Sequence, residues 1–308
     1  MKFIDQSAEQ FVPRIGIDIG GSSVKAAVQI GNEIHTSVSS CYEHPNHAVL
    51  ASRIREAVGS CWNKIFTESD KAIHDDSEVC ISVPGPVDDN GVLLAAANLS
   101  GIINTHIPSW SADVLGLRKQ PVVITDTLAA AYYEYHCNPF QGRSLYLSIG
   151  TGVGGIILDS GCPLIFTRGT CGHLGHIDVS GDVETAPYRA GSGRGSLEAY
   201  IGYRALLAAG VPADETRWAN HPAARPALQA LVRALRTMLV IFRPGEIVLM
   251  GGVGITLEPA LTFLEEQVRR DLSPAAPVSW MLRCSKSDHF AAALGACQTV
   301  NLQNEQIS

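Results

Sequence analysis

The sequence predicts an α/β fold in two related halves, and three observations lead there. Ile15 to Val28 reads IGIDIGGSSVKAAV, an apolar run carrying one acid, a glycine-serine turn and a second apolar run, so strand, tight turn, strand. Leu145 to Asp159 reads LYLSIGTGVGGIILD and repeats that plan. After each hairpin, short apolar strands alternate with helical patterns, as in α/β domains. Internal similarity at this spacing implies two half-domains facing one another across a cleft.

The turns carry the first chemistry. Gly20 and Gly21 let the backbone bend sharply and approach a ligand closely. Exposed amides in such a turn point at anionic oxygens, and Ser22 and Ser23 add hydroxyl donors. Asp18 sits at the end of the strand facing the turn, where a carboxylate fits Mg²⁺ held between it and a phosphate. A plain hairpin with a solvated acid is the alternative. Lys25, just beyond the turn, joins the phosphate-binding set, and the second turn contributes Gly150, Thr151 and Gly152. Two phosphate-facing turns suit a nucleoside triphosphate. Neither turn has the P-loop pattern, and each leads into a strand, not a helix. The expected fold is therefore the two-lobed actin-like, ribonuclease-H-like ATPase fold, with ATP·Mg²⁺ between two hairpins.

In chain order, residues 1–13 read as an extension, far too short for a winged-helix DNA-binding domain. Strands follow over Arg14 to Ile19, Ser23 to Ile30 and Glu33 to Ser39, the last two joined by a Gly31-Asn32 turn. A helix runs from about Asn46 to Phe66, with Val49, Ile54, Val58, Trp62 and Ile65 on its apolar face. Glu78 to Val83 is a buried strand stopped by the rigid turn Pro84-Gly85-Pro86. Val92 to Ala97 reads as a further strand, and Pro121 to Thr125 as another, followed by a helix from Asp126. The second lobe opens near Gly142. After its hairpin comes an irregular glycine-rich stretch, Gly161 to Gly195, and then a helix N-capped by Ser196. A helix over Pro226 to Phe242, strand Glu246 to Met250, helix Pro259 to Asp271, strand Val278 to Arg283 and helix Phe290 to Val300 complete the chain. The expected division is a small lobe of residues 14–126 plus 290–308 and a large lobe of residues 127–289.

Composition excludes several classes. Of 308 residues, 46% are hydrophobic and 17% charged, which describes an ordinary soluble globular protein. The net charge of −7 argues against a nucleic-acid binder. No run approaches a membrane span, and the N-terminus lacks the apolar run of a signal peptide. The eight cysteines are scattered, with no C-x-x-C pair, as small buried hydrophobes in a reducing cytoplasm. The expected setting is cytoplasmic, with no nucleic-acid or membrane partner.

Asp126 is the first choice for a catalytic base. It lies at the carboxyl end of a buried strand and at the start of a helix, where ligands bind in open α/β sheets. A carboxylate there can take the proton of a hydroxyl as its oxygen attacks the γ-phosphorus. A simple N-cap aspartate is the alternative reading.

Taken together, the two hairpins resemble the phosphate motifs of the ROK family, bacterial sugar kinases with related repressors, and the resemblance runs from about Ile15 to about Val300. It implies a homodimeric, ATP-dependent kinase acting on a primary hydroxyl of a hexose, with the last helix returning to pack on the first lobe. By the same resemblance Asn98 in NLSG, His176 in GTCGHLGH and Glu198 in GSLE are sugar ligands, and Gly251, Gly252 and Gly254 form the adenosine-side turn.

The chain also departs from the family. Thr125 stands where an asparagine precedes the catalytic acid, and His173 where the family has a glutamate, both in the sugar pocket. Two changes in one pocket imply a hexose other than glucose: amino, epimeric or otherwise modified, or a cyclitol. The cysteine-rich loop that holds a structural zinc in most members reads YRAGSGRGS here, with Tyr188, Ala190 and Ser196 in place of cysteines, so no zinc site is expected. His173 and His176, three apart, invite a metal reading, but sugar binding is the reading preferred for them. Two alternatives stand beside the kinase: a non-catalytic sugar-sensing regulator of the same fold, and an ATPase acting on a protein partner.

Overall fold

The computed structural model describes residues 12–65, 77–96, 99–165, 172–212 and 218–306, with side chains described as far as residue 299. The chain forms two compact units, Met1–Tyr133 with His289–Ser308, and Glu134–Asp288. No described helix is long and apolar enough to cross a membrane.

In the first unit, β1 (Arg14–Ile19), β2 (Val24–Ile30) and β3 (Glu33–Val38) form an antiparallel meander. Helix α1 (His47–Ile65) packs on it through Leu50, Ile54, Ala57, Val58, Cys61 and Trp62, a helical face of three- and four-residue steps. Val49 is exposed and Leu50 fills the place expected of it, because Leu50, four residues before Ile54, is the one that lies on the buried stripe. β4 (Glu78–Val83) pairs parallel with β1. Helix α2 (Ile107–Leu115) was not foreseen, yet its signals are in the sequence: Pro108 in its first turn and Gly116 as a left-handed C-cap at φ 69°. β5 (Val122–Thr125) then pairs parallel with β4 and runs straight into α3 (Asp126–Cys137). The sheet order is β3-β2-β1-β4-β5.

The expected strand at Val92 does not form. Val92 and Leu93 make only isolated bridges, to His106 and Val87. The Asp88 carboxylate accepts from the Asn90 and Val92 amides and coils the chain there instead.

The second unit repeats the plan. β6 (Arg143–Ile149), β7 (Val153–Asp159) and β8 (Cys162–Pro163) are antiparallel neighbours. A small ribbon, β9 (Tyr188–Arg189) with β10 (Gly193–Arg194), leads to α4 (Leu197–Ile201) and α5 (Tyr203–Ala208). Ser196 caps α4, its hydroxyl accepting from the Ala199 amide at 3.2 Å. Helix α6 (Arg225–Phe242) precedes β11 (Glu246–Met250), a fully buried strand parallel to β6. The short α7 (Gly251–Gly254), α8 (Leu261–Arg270) and β12 (Met281–Cys284) follow. Two of these elements start later than expected. Pro259 lies in a 3₁₀ segment before α8, and Val278, 98% exposed, precedes β12. The sheet order β12-β11-β6-β7-β8 is the first order again, with the same antiparallel and parallel pairings. Each half thus has the ribonuclease-H-like arrangement of the actin-like fold.

The last helix, α9 (Ala291–Gln306), returns to the first unit. It packs so closely on β1 and α3 that a Cβ on Gly16 would come 2.0 Å from the Ala293 carbonyl oxygen, and one on Gly295 1.7 Å from that of Ala129. Glycine is required at both positions because backbone lies where a side chain would be.

Candidate active site

The first half-site grows from the β1–β2 register. Asp18 pairs across the ladder with Lys25 and, on the other side, with Ser82 of β4. Its Oδ2 accepts from Lys25 Nζ at 3.2 Å and its Oδ1 from Ser82 Oγ at 2.9 Å. Asp18 is only 6% exposed, so these charge-assisted bonds are what permit a carboxylate there. The turn beyond it, Gly20 to Ser23, is open to solvent in part at every residue. Tyr42 fastens it: its hydroxyl donates to the Gly20 carbonyl at 2.5 Å and its amide to the Ser22 carbonyl at 2.9 Å. Burial and the Asp18 charge raise the Tyr42 phenol, so it stays a donor. Neither Ser82 nor Tyr42 was foreseen. Ser82 could have been found by laying the two strands side by side.

Asp126 is the first residue of α3, directly after β5, and is partly exposed. Its Oδ1 accepts from the Thr127 amide at 2.7 Å and from the Thr127 hydroxyl at 3.3 Å. Thr125 Oγ1 accepts from the Leu128 amide at 3.3 Å, so the capping role falls to Thr125. Burial, and after it the nearby Asp18 charge, push Asp126 up to about 6 against the pull of the Thr127 donors. That is a carboxylate poised near neutrality at a strand tip. Asn98 lies outside the described residues.

The second half-site gathers around the start of β7. The Val153 amide donates to Glu198 Oε2 at 2.9 Å. The Val153 carbonyl oxygen lies where a Cβ on Gly175 would come within 2.0 Å, which seats the turn Leu174–His176 on the strand. Glu198 Oε1 pairs with Arg189 Nε at 2.7 Å, and Arg189 Nη2 donates to the Thr151 carbonyl at 3.1 Å. Thr151 is exposed and its glycine neighbours are half-buried. His173 and His176 stack with ring centroids 5.0 Å apart, and both reach solvent. Crowding by protein and the His173 charge hold His176 below the usual histidine range, against the pull of Glu198. The sequence pointed to His173, His176, Glu198 and the turn at Thr151, and the structure brings these together; it did not point to Arg189.

Gly251 leaves β11 at φ 79°, packed so that a Cβ would come 2.5 Å from the Ile149 carbonyl, next to Gly150. Gly252 is exposed and Gly254, the last residue of α7, is buried. Tyr188 and Ala190 are exposed and Ser196 is buried as the α4 cap. Among the described residues no group of three or more His, Cys, Asp or Glu side chains could hold a metal ion.

Comparison with known proteins matches the chain to the ROK family over residues 14–302. An N-acetylmannosamine kinase of Salmonella arizonae is 27% identical over 304 residues, covering 92% of this chain and 96% of that one. Among solved structures, the ROK hexokinase of Thermus thermophilus superposes with a TM-score of 0.74 at 27% identity, over 96% of this chain and all of the other. A ROK family glucokinase of Streptomyces griseus, solved with glucose and AMPPNP, gives 0.72 at 23% identity over 94% and 99%.

Proposed function

The chain belongs to the ROK family, and on that premise we propose that it is an ATP-dependent carbohydrate kinase acting on a primary hydroxyl, the 6-hydroxyl, of an amino or otherwise modified hexose. The observation that carries the reading is Asp126. A carboxylate raised to about 6 by burial and by Asp18 stands at the tip of β5, one strand removed, across β4, from β1 and its Gly20–Ser23 turn. Such a group is ionised at neutral pH yet basic enough to accept a hydroxyl proton.

In the proposed reaction the sugar oxygen attacks the γ-phosphorus, its proton passes to the Asp126 carboxylate, and the bond to the bridging oxygen of ADP breaks. The amides and hydroxyls of Gly20, Gly21, Ser22 and Ser23, with Lys25, hold phosphate. Gly150, Thr151 and Gly152 make up the second phosphate-binding set, and Gly251, Gly252 and Gly254 border the adenosine. Asn98, Thr125, His173, His176 and Glu198 hold the sugar. Hard carboxylate oxygens at Asp18, with Asp126 near enough to feel its charge, suit Mg²⁺, although Lys25 already takes part of the Asp18 charge. When bound, the ion neutralises charge on the transferring phosphate.

The substrate proposal rests on the pocket and on the relatives. The stacked pair His173–His176 offers a flat face and ring nitrogens where the ordinary family pocket has an acid. With relatives named N-acetylmannosamine kinase, a 2-acetamido hexose is the first candidate. The test is ADP release with ATP across a sugar panel. A 2-acetamido or epimeric hexose should give a higher kcat/KM than glucose. Equal or better use of glucose overturns the substrate proposal. Sugar binding with no ADP release from any sugar overturns the kinase and favours a sugar-sensing regulator.

A further inference from the structure

The second half-site contains a cation that no step above uses. Arg189 is the inward-facing residue of the two-residue strand β9, between exposed Tyr188 and exposed Ala190. The turn of that ribbon is closed by Gly191 and Gly193 at φ 94° and 88°, which presents Arg189 at a fixed angle. The guanidinium spans two acceptors from different parts of the chain, the Glu198 carboxylate on α4 and the Thr151 carbonyl in the β6–β7 turn. Both charged side chains are largely withdrawn from water, at 22% and 14% exposure. Glu198 in turn grips the Val153 amide, two residues beyond Thr151. The turn and the acid are thus joined twice, once through Val153 and once through Arg189.

We infer that Arg189 is a positioning residue that locks the sugar-side acid Glu198 to the phosphate-side turn at Thr151, so that the two ligand sites of this half are set by one guanidinium. The geometry needs a fork. Nε faces the carboxylate while Nη2 reaches the carbonyl, two nitrogens of one rigid plane, whereas a lysine carries its three donors on a single flexible nitrogen and does not hold both acceptors in this fixed spacing. With Arg189 removed, Glu198 keeps one of its two partners and the Thr151 carbonyl loses its donor. This inference rests on the reading of Glu198 and Thr151 as ligands given above.

The experiment uses the full chain and the best sugar from the panel. Losing a charge-assisted bond of this kind should raise the sugar KM of Arg189→Ala roughly 10- to 100-fold, more than kcat falls. The ATP KM should rise by a smaller factor, about threefold, since only a backbone carbonyl is released. Arg189→Lys should recover most of the sugar KM and not the ATP KM. In amide hydrogen exchange without ligands, Val153 should exchange at least about tenfold faster in Arg189→Ala, because Glu198 is no longer held against it. A sugar KM within twofold of the parent overturns the inference, and so does an Arg189→Lys variant that restores both constants alike. A parent that turns over no sugar overturns the kinase reading instead. In that case the Val153 exchange rate decides this inference, unchanged exchange sinking it. Should Arg189→Ala fail to fold, Arg189→Lys and Arg189→Gln carry the same comparison.

Discussion

In the β1–β2 hairpin the acid belongs to the strand itself. Asp18 is held by its ladder neighbours Lys25 and Ser82, and all three positions follow from the register. In the β6–β7 hairpin, which holds the same place in the same sheet order, no acid stands beside the turn; its one acid, Asp159, pairs with Arg143 at the far end of the ladder. A carboxylate comes instead from α4, Glu198, with its counter-ion brought from a separate ribbon, Arg189. The first half therefore fixes its charge by sheet geometry and the second by long-range loop packing. A repeated topology thus preserves the site of the turn and not the source of its chemistry.

The largest expected effect tests whether the first half alone holds the reacting group. Asp126→Asn should lower kcat by about 10²- to 10⁴-fold with sugar KM nearly unchanged. Turnover near the parent level would remove Asp126 from the mechanism. The next tests how firmly sheet geometry holds the first pair. Lys25→Met keeps the length and removes the charge, leaving Asp18 buried beside Ser82 alone. Unfolding by urea should show a loss of about 2–4 kcal/mol. A loss under about 0.5 kcal/mol would mean that Asp18 does not need its cation, and that the two hairpins differ less than described.

A third prediction addresses the second half. A Cβ on Gly152 would lie 2.7 Å from Glu198 Oε2, whereas one on Gly150 meets nothing within 4 Å. Gly152→Ala must push Glu198 off Val153 and strain its Arg189 pair, so the sugar KM should rise roughly tenfold. Gly150→Ala should leave it within twofold. Equal effects from both alanines would show that the turn, and not its contact with Glu198, governs sugar binding.

The same contrast explains what could be read from sequence. The first hairpin, α1, β4, β5 and the place of Asp126 were legible because strand period, turn glycines and a strand-to-helix junction are local signals. The second hairpin was legible as a copy. Helix α2 was passed over although Pro108 and Gly116 mark its ends, because its nine residues are too short a run for a clear helical period. The strand expected at Val92 failed because Asp88 competes for the backbone amides. Arg189 was invisible for a different reason. Its partners lie 9 and 38 positions away in sequence, and nothing in YRAGSGRGS says which way the side chain points.

The smallest effect is the most specific to the first half. Burial and the Asp18 field raise Asp126 from 3.8 to about 6. Between those two values the folded protein holds a proton that the unfolded chain has released. Stability therefore falls as pH rises through that window and levels off above it. At pH 7.5 the ionised Asp126 is a net cost, reduced because the group keeps some contact with water. Asp126→Asn removes it, so the variant should be more stable than the parent by about 1–2 kcal/mol at pH 7.5, with the difference fading by about pH 4. Paired denaturation curves at the two pH values measure it. Glu198→Gln should behave oppositely at pH 7.5, losing stability, because its carboxylate is held by Arg189 and the Val153 amide. If both variants gained stability, the second acid would be as strained as the first, and the contrast between an acid held under electrostatic stress and one held by its partners would fail.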